Sequence, residues 1–378
     1  MKKIRALVVE DSPTIRRYLV DVLSASPEFE VVGEAADGEQ GARLCESLRP
    51  DVVTMDIVLP VMSGVEATEY IMAWCPTPIV IVSASVNRGE ALKTYDALAA
   101  GAVDLIDKPT LGESAESWES AFLARVRMVS RIKVITHPRG RLRGSPRFDS
   151  KLTAPPRSIA GSAPVSSNGT SPAPRFSAGY GTIRAVAIGA STGGPAAVAE
   201  ILKVLPATFP IPLLLVIHVS DQFAFALAEW LNGQSNIPVR FAVNGEPLPP
   251  LGQPGVLLAP AGAHMVLEGD QLRLRKTAER HSCRPSVDEL FESAAAQLGP
   301  AAVCVLLTGM GRDGASGLLA ARAAGATTIA QDETSSIVFG MPGEAIRLDA
   351  ASRILPLNQI APTLLSFEVK AGTTGGSL

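Results

Sequence analysis

The chain has 378 residues, 47% of them hydrophobic and 19% charged, with a formal net charge of −3, which is ordinary for a globular chain of about two or three domains. Its first residues, MKKIR, lead into a short apolar run and then into acids, a pattern that excludes a signal peptide and a membrane span there. The four cysteines form no CxxC pair, which excludes common zinc-site spacings, and we expect most of them in the core. We therefore expect a cytoplasmic protein without direct membrane insertion.

Residues 1–135 alternate short apolar runs with helical patterns. The predicted strands are residues 6–9, 31–35, 52–55, 79–82 and 103–106. The predicted helices are residues 12–23, 38–48, 65–74, 90–100 and 114–132. Five strand–helix repeats predict a flavodoxin-like, doubly wound α/β domain with a five-stranded parallel sheet.

Polar residues follow four of the five predicted strands. Glu10 and Asp11 follow the first strand, Asp56 the third, Ser83 the fourth and Lys108 the fifth. Since the carboxyl ends of parallel strands meet at one edge, these side chains should lie together. Three carboxylates in one place repel each other unless a cation lies among them, and oxygen ligands suit Mg²⁺.

Residues 3–131 resemble the receiver domain of two-component response regulators. The resemblance rests on the run DIVLP at 56–60, on Gly64 and on the pair KP at 108–109. It implies that Asp56 accepts a phosphoryl group from a chemotaxis-type histidine kinase. Many receivers have an aromatic residue three positions before the lysine, where this chain has Leu105.

The receiver resemblance also assigns the residues around Asp56. It implies that Mg²⁺ is held by Glu10, Asp11, Asp56 and the backbone carbonyl of Val58, and that Ser83 and Lys108 contact the phosphoryl oxygens. A metal and an ammonium group would neutralise the charge of the transferring group.

The helical and strand patterns stop in residues 136–180. Between residues 138 and 178, 19 of 41 residues are Pro, Ser or Gly, and 7 Lys or Arg stand against 1 acid. This composition predicts a flexible basic linker, with an extended arm packed on a domain as the alternative. The segment has no periodicity and has a single aromatic residue, Phe148, before Phe176, which argues against a nucleic-acid-binding region. The tail, residues 371–378, is predicted to be disordered.

A second alternation fills residues 181–370. The predicted strands are residues 185–188, 213–217, 239–243, 255–259, 303–307 and 327–330, with a hairpin at 265–274. The predicted helices run from 195 to 205, 222 to 231, 286 to 298, 314 to 324 and 360 to 367. The pattern predicts a doubly wound, mostly parallel sheet with the antiparallel hairpin at its edge.

Residues 184–195 (RAVAIGASTGGP) pass from an apolar run into Ser191 and then into a helix start at Pro195. Residues 189–193 match the GxSxG pattern of a nucleophile elbow, where helix N–H groups can stabilise an oxyanion. A phosphate cradle or simple packing is the alternative. However, GxGxxG would need glycine at position 191, and the chain has no Gly-Lys pair for a P-loop.

A serine nucleophile needs a base, and the chain has four histidines. His218 directly follows the predicted strand 213–217, so it should share an edge with Ser191. His264 ranks second, His281 third, and His137, beside the linker, last. Asp313, in the loop after strand 303–307, is the best-placed third member. The alternative acids are Asp221, Asp270, Asp288 and Asp332, of which the first and third also fit helix caps.

Four runs resemble the chemotaxis protein-glutamate methylesterases (CheB family) in spacing and identity. They are IGASTGGP (188–195), RPSVD (284–288), LTGMGRDG (307–314) and FGMP (339–342). The resemblance implies a catalytic triad of Ser191, His218 and Asp313, with Thr192 and Met310 as oxyanion or site-lining residues.

The methylesterase resemblance implies a phosphorylation-activated hydrolase of glutamate γ-methyl esters on methyl-accepting chemoreceptors, which releases methanol and also deamidates receptor glutamines. It implies no cofactor for ester hydrolysis. Two departures bear on substrate preference and domain docking: Val219-Ser220 replaces the common Met-Pro, and the linker is longer than in many members. A non-catalytic, phosphorylation-switched adaptor is the alternative. A DNA-binding regulator would need a basic helix-turn-helix after the linker, and the acidic α/β part there has none.

Overall fold

The structure is a computed structural model that describes residues 2–84, 88–109, 114–132, 134 and 183–367. The predicted linker and the predicted tail lie outside these residues, as does His137. Among the described residues, no helix combines the length and apolar character that crossing a bilayer requires.

The N-terminal part, as far as it is described, contains five strands: β1 (Ile4–Val9), β2 (Phe29–Ala35), β3 (Val52–Met55), β4 (Ile79–Ser83) and β5 (Asp104–Asp107). All pair in parallel in the order β2-β1-β3-β4-β5, which confirms the predicted sheet. The strand order reverses between β1 and β3, so residues that follow these strands border one crevice.

Helices cover both faces of this sheet. They are α1 (Pro13–Ala25), α2 (Gly38–Leu48), α3 (Gly64–Trp74), α4 (Arg88–Ala99) and α5 (Ala115–Val129). Local signals set their starts: Ser12 caps α1 before Pro13, and Ser63 and Glu66 form a capping box at α3. Side chains of α1 and α5 bury one face, and side chains of α2, α3 and α4 bury the other.

The described C-terminal residues, 183–367, contain nine strands. They are β6 (Ala185–Ala190), β7 (Leu213–Ile217), β8 (Val239–Phe241), β9 (Val256–Leu258), β10 (His264–Glu268), β11 (Gln271–Arg275), β12 (Ala302–Leu306), β13 (Thr327–Gln331) and β14 (Arg353–Leu355). Seven of them form a parallel sheet in the order β14-β13-β12-β6-β7-β9-β8. The predicted hairpin is present, but β10 and β11 pair only with each other as a separate sheet, so its placement at the edge of the main sheet is wrong.

The helices of this part are α6 (Gly194–Val204), α7 (Asp221–Gln234), α8 (Val287–Leu298), α9 (Ala315–Ala323), α10 (Met341–Arg347) and α11 (Leu357–Leu365). Helix α10 and strand β14 are not among the elements predicted from the sequence. Both are short, with seven and three residues, too few to show a hydrophobic period.

The centre of the main sheet explains the position of the site. Strands β6, β7 and β12 are buried along their whole length, which accounts for their continuous apolar runs. In the sheet, β6 lies between β7 and β12. The chain continues from β6 to β7 on one side and later forms β12 on the other side, so the strand order reverses at β6. Ligands of open α/β sheets bind at the carboxyl ends of such strands.

The two parts contact each other through α4. The Tyr95 hydroxyl donates to the Phe223 carbonyl at 3.1 Å, and the Trp230 indole donates to Asp96 at 3.0 Å. The rings of Tyr95 and Trp230 stack with centroids 5.5 Å apart. An ion pair between Arg88 and Glu229 lies at the same contact. The N-terminal part therefore packs against α7.

Candidate active site

Ser191 lies in the turn between β6 and α6. Gly193 adopts a left-handed conformation with φ 76°, and the Gly194 N–H donates to the Ser191 carbonyl at 2.7 Å. Glycine adopts such a φ at little cost, so the chain can turn sharply into the helix. The turn places the serine at the helix N-terminus, as the elbow pattern predicts.

Parallel registers place two other loops beside Ser191. Ala190 pairs with Ile217, and the His218 N–H donates to the Ala190 carbonyl at 3.0 Å. On the other side, the Ser191 N–H donates to the Thr308 carbonyl at 3.0 Å. The serine therefore lies between the residue that follows β7 and the loop that follows β12.

His218 and Asp313 form a direct pair, with His218 Nε2 2.9 Å from Asp313 Oδ2. Asp313 is buried and also accepts from the Ser286 hydroxyl at 2.7 Å and from the N–H groups of Val287 and Asp288 at 2.7 and 3.1 Å. Burial by itself would raise the pKa of Asp313, but these hydrogen bonds outweigh it and lower the pKa below its ordinary value. Asp313 is therefore a fixed, ionised partner for the imidazole.

Burial and hydrogen bonds also shift the pKa of His218. Burial disfavours the charged imidazole, yet the hydrogen bonds with Asp313 and Cys283 outweigh burial and raise the pKa of His218 to about 9. Because the Asp313 carboxylate can only accept, Nε2 carries a proton and Nδ1 is the nitrogen left for other groups.

The other candidate histidines are engaged elsewhere. Both ring nitrogens of the buried His264 are used, because Nδ1 accepts from the Ser286 N–H at 3.1 Å and Nε2 donates to the Ala278 carbonyl at 3.0 Å. His281 Nε2 lies 3.1 Å from Asp288. Among the described residues, His218 is therefore the histidine next to Ser191.

Three of the four alternative acids have partners away from His218. Asp288 accepts from the Gly317 N–H at 2.6 Å, Asp270 pairs with Arg184 at 3.0 Å, and Asp332 accepts from Ser335 at 2.6 Å. Asp221 lies in the first turn of α7. The structure thus brings Ser191, His218 and Asp313 together out of the candidates that the sequence left open.

The two other predicted site residues lie at the same edge. Thr192 is buried beside Ser191, and its hydroxyl donates to Asp104 of the N-terminal part at 3.0 Å. Met310 is 54% exposed in the loop after β12. Gly309 in that loop lies so close to Ser191 that a Cβ there would be 2.8 Å from the serine Cβ.

A second polar cluster lies at the carboxyl edge of the N-terminal sheet. One carboxylate oxygen each from Glu10, Asp11 and Asp56 lie within 4.8 Å of one another. Lys108 Nζ lies 2.8 Å from Glu10 and 2.9 Å from Asp56. Ser83 pairs with Asp107 in the strand register, next to Lys108. The five predicted residues thus meet at one edge.

Burial dominates the electrostatics of this cluster. It raises the pKa of Glu10 to about 7, and it raises the pKa of Asp56 although Lys108 and the N–H groups of Ile57 and Val58 oppose it. Burial would lower the pKa of Lys108, but its bonds to Glu10 and Asp56 outweigh that effect. Crowded carboxylates of this kind are a donor set that fits a hard divalent cation such as Mg²⁺.

A cleft of about 690 Å³ lies between the two parts of the molecule, and Ser191 is among the residues that line it. From the C-terminal part it is lined by Ser191, His218, Cys283 and Met310 among others; from the N-terminal part it is lined by residues that include Asp104, Trp118 and Arg125. Arg125 also forms an ion pair with Asp104. The N-terminal part therefore borders the mouth of the candidate active site.

Comparison with known proteins decides the family. The profile described as CheB methylesterase matches residues 186–364, and the profile described as response regulator receiver domain matches residues 6–115. A protein-glutamate methylesterase/protein-glutamine glutaminase of Nitrosospira multiformis is 41% identical over 375 residues, covering 98% of this chain and 99% of that protein. The chain belongs to this family.

A second relative shows the same full-length likeness, and a solved structure matches the C-terminal part. A protein-glutamate methylesterase/protein-glutamine glutaminase 2 of Anaeromyxobacter dehalogenans is 40% identical and covers 96% of each chain. The crystal structure of the Thermotoga maritima CheB methylesterase catalytic domain is 34% identical, covers 50% of this chain and 100% of that one, and has a TM-score of 0.47. The family resemblance predicted from the motifs is confirmed.

Three contacts in this family member escaped the sequence analysis. Ser286 donates to Asp313, whereas the sequence predicts only a helix start and a family motif at RPSVD. Cys283 lies at the site with its Sγ 3.7 Å from His218 Nδ1, whereas the other three cysteines are buried as expected. Asp104 reaches Thr192 across the two parts. No local pattern marks these contacts, because each depends on segments far apart in the chain.

Proposed function

We propose that this chain is a serine hydrolase that demethylates glutamate γ-methyl esters on methyl-accepting chemoreceptors and deamidates receptor glutamines. The observation that carries the proposal is the 2.9 Å pair of His218 and Asp313 beside Ser191 at one sheet edge. The names of full-length relatives supply the substrate class. Neither the described residues nor these relatives favour the non-catalytic adaptor.

In the proposed reaction the Ser191 hydroxyl attacks the ester carbonyl and passes its proton to Nδ1 of His218. Asp313 holds the imidazole and stabilises its charged form. Collapse of the tetrahedral intermediate returns the proton to the leaving methoxide, so methanol departs and an acyl-serine remains. Water, activated by the same imidazole, releases the glutamate carboxylate. With a glutamine side chain the same steps release ammonia.

Backbone groups supply the proposed oxyanion contacts. Ser191 lies at the N-terminal end of α6, where the positive end of the helix dipole favours negative charge. Thr192 and Met310 border the same space, and we assign them to lining the site. The Thr192 hydroxyl, which donates to Asp104, would first have to leave that partner to face a substrate.

We further propose that Asp56 is the phosphoryl acceptor and that a chemotaxis histidine kinase supplies the phosphoryl group in the cytoplasm. Glu10, Asp11, Asp56 and the Val58 carbonyl would hold Mg²⁺, which when bound neutralises charge on the phosphoryl group. Ser83 and Lys108 would contact the phosphoryl oxygens. The 2.9 Å contact of Lys108 with Asp56 supports this role for the lysine.

The receiver part would restrain the hydrolase until it is phosphorylated. The cleft at Ser191 is bordered by Asp104 and Arg125, and Asp104 holds the residue next to the nucleophile. Phosphorylation can favour the open arrangement of the two parts only if the phosphoryl group interacts more favourably with the open state than with the closed state.

Methanol release from methylated receptors tests the catalytic assignment. Ser191→Ala and His218→Ala should each lose activity by about 10³-fold or more, because they act as one unit. His281→Asn is the matched control, since His281 bonds Asp288 and not His218. Wild-type turnover by Ser191→Ala would exclude the serine mechanism, and loss of labelling by a fluorophosphonate in that variant would support it.

A further inference from the structure

Cys283 is presented to the active site by a tight turn. His281 and Ser282 both have left-handed backbones, with φ 53° and 59°, and the backbones of Arg280 and Cys283 bond each other at 2.9 and 3.1 Å. The turn places Cys283 Sγ 3.7 Å from His218 Nδ1. The cysteine is half-buried and lines the cleft, so a small ion from solvent can reach it.

The imidazole next to this thiol is oriented as a metal ligand. Asp313 accepts from His218 Nε2 and is itself fixed by Ser286 and by two backbone N–H groups. Metal-binding histidines commonly donate their other ring N–H to a carboxylate in this way, which fixes the tautomer and the ring. In the neutral imidazole, Nδ1 therefore offers a lone pair toward Cys283.

The distance between the two atoms fits a shared zinc ion. With Zn–N of about 2.0 Å and Zn–S of about 2.3 Å, two ligands of a tetrahedral ion lie about 3.5 Å apart. The observed separation of Nδ1 and Sγ is 3.7 Å. Both residues line a cleft of about 690 Å³, which has room for water molecules as the other ligands.

We propose that His218 Nδ1 and the Cys283 thiolate form an inhibitory Zn²⁺ site at the active centre. The ion occupies the lone pair that accepts the Ser191 proton, so hydrolysis stops while the ion is bound. Binding releases to solvent the thiol proton and any proton that the imidazole holds on Nδ1, and no other bond changes. The inhibitory effect rests on the proposed function, whereas the binding of zinc does not.

The ligand types separate this site from the receiver cluster. Thiolate and imidazole favour Zn²⁺, whereas the carboxylates of Glu10, Asp11 and Asp56 suit Mg²⁺. Millimolar Mg²⁺ can therefore saturate the receiver cluster during the experiment and leave the zinc site free.

Direct binding is measured first, with the full-length protein freed of metal and kept in excess Mg²⁺. Zn²⁺ alone is titrated against a chromophoric chelator, and Co²⁺ is used as a spectroscopic probe. Wild type should bind Zn²⁺ and give a thiolate-to-cobalt charge-transfer band. Cys283→Ala should lose the band and bind Zn²⁺ at least about tenfold more weakly. His281→Asn, which keeps both ligands and a residue tolerant of the left-handed backbone, should match wild type.

Inhibition is measured second, as methanol release at increasing Zn²⁺, with each variant compared with its own zinc-free rate. Wild type and His281→Asn should be inhibited at the concentration where they bind, and chelator should restore the rate. Cys283→Ala should need at least about tenfold more Zn²⁺. Equal zinc affinity or an unchanged cobalt band in Cys283→Ala would overturn the site. Absence of hydrolysis by zinc-free wild type would instead contradict the proposed function, while the binding results still decide the zinc site.

Discussion

Asp313 accepts hydrogen bonds from His218, Ser286, Val287 and Asp288, and this arrangement fixes both its charge and its direction. A buried carboxylate without such donors would be costly to ionise. The backbone donors come from the start of α8, where unpaired N–H groups and the helix dipole favour an anion. The sequence segment RPSVD thus holds the acid of the proposed triad.

Ser286→Ala should weaken both stability and catalysis. It removes a buried hydrogen bond to a charged group, which costs about 1.5–3 kcal/mol of unfolding free energy, and it loosens the direction of Asp313. Urea unfolding and kcat measure the two effects. Ser293→Ala is the matched control: this α8 serine accepts from the Leu267 N–H at 3.0 Å, so the change should cost stability but leave kcat near wild type. A kcat as high in Ser286→Ala as in the control would contradict a positioning role for Ser286.

The raised pKa of His218 predicts the pH dependence of the hydrolase. With a pKa of about 9, most imidazole is protonated at neutral pH and cannot act as a base. kcat/KM should therefore rise about tenfold per pH unit below about pH 9 and then level off. A pH–rate profile at constant ionic strength measures this, and a plateau that begins near pH 7 would show that the imidazole keeps an ordinary pKa.

The raised pKa of His218 also makes the free energy of unfolding depend on pH. The pKa of His218 is higher in the folded state, about 9, than the roughly 6.5 of an unfolded histidine. Its contribution is therefore fully present below about pH 6.5 and is lost as the pH rises through about 9. Unfolding free energies of wild type and His218→Gln over that range separate this contribution from those of other groups.

At the scale of elements, the site depends on how closely the loops after β6 and β12 approach each other. The Gly309 N–H donates to the Val338 carbonyl, and the Gly309 carbonyl accepts from Gly340 and Met341 at the start of α10. The loop after β12 is therefore held between Ser191 and α10, a helix that the sequence analysis did not predict. Close backbone approach is the physical reason for glycine at position 309.

Gly309→Ala should destabilise the protein and lower kcat. The added Cβ would lie 2.3 Å from Met341 Sδ and 2.8 Å from Ser191 Cβ, and such overpacking costs about 1–3 kcal/mol. Gly233→Ala in α7 is the matched control, because a Cβ there meets nothing within 4 Å and alanine should stabilise the helix by about 0.5–1 kcal/mol. Thermal unfolding and kcat are the measurements. Equal stability and equal kcat for the two variants would show that the loop after β12 can move to accommodate the added Cβ.

At the scale of the whole molecule, the two parts are in contact, and this contact joins the proposed phosphorylation site to the proposed active site. The contact uses α4, β5 and α5 of the receiver part, through Tyr95, Asp96, Asp104 and Arg125. β5 ends at Asp107, next to Lys108 of the acidic cluster, so one short strand joins Asp104 at the cleft to the proposed phosphoryl site. A shift of β5 would therefore move residues both at the cleft and at the proposed phosphoryl site.

Asp104→Ala should raise the basal hydrolase rate, because it removes the receiver's bond to Thr192. About 1.4 kcal/mol of lost restraint changes the open-to-closed ratio tenfold. Deletion of residues 1–137 should raise the rate further and abolish the response to acetyl phosphate, whereas Asp56→Asn should stay low with or without it. Asp21→Ala, at an exposed ion pair in α1, is the matched control. Equal rates for all of these proteins, with and without acetyl phosphate, would mean that the receiver does not restrain the enzyme.

Local signals in the sequence determined most of the elements and the edge at which the chemistry lies. Continuous apolar runs predicted the buried parallel strands, and Ser12-Pro13 and Ser63 with Glu66 marked helix starts, because these interactions involve neighbours in the chain. Residues that directly follow strands, such as Ser191 and His218, could be assigned to one sheet edge for the same reason. The family motifs added the pairing with Asp313.

Only the tertiary structure decided which side chains touch. The sequence left His264 and His281 open as bases, and packing engages both with other partners. The sequence places most of the four cysteines in the core without singling out Cys283, and a left-handed turn brings Cys283 next to His218. The bond between Asp104 and Thr192 joins residues 88 positions apart. Each of these contacts depends on strand order, loop geometry and docking between two separate sheets, and these long-range constraints leave no periodic or local pattern in the chain.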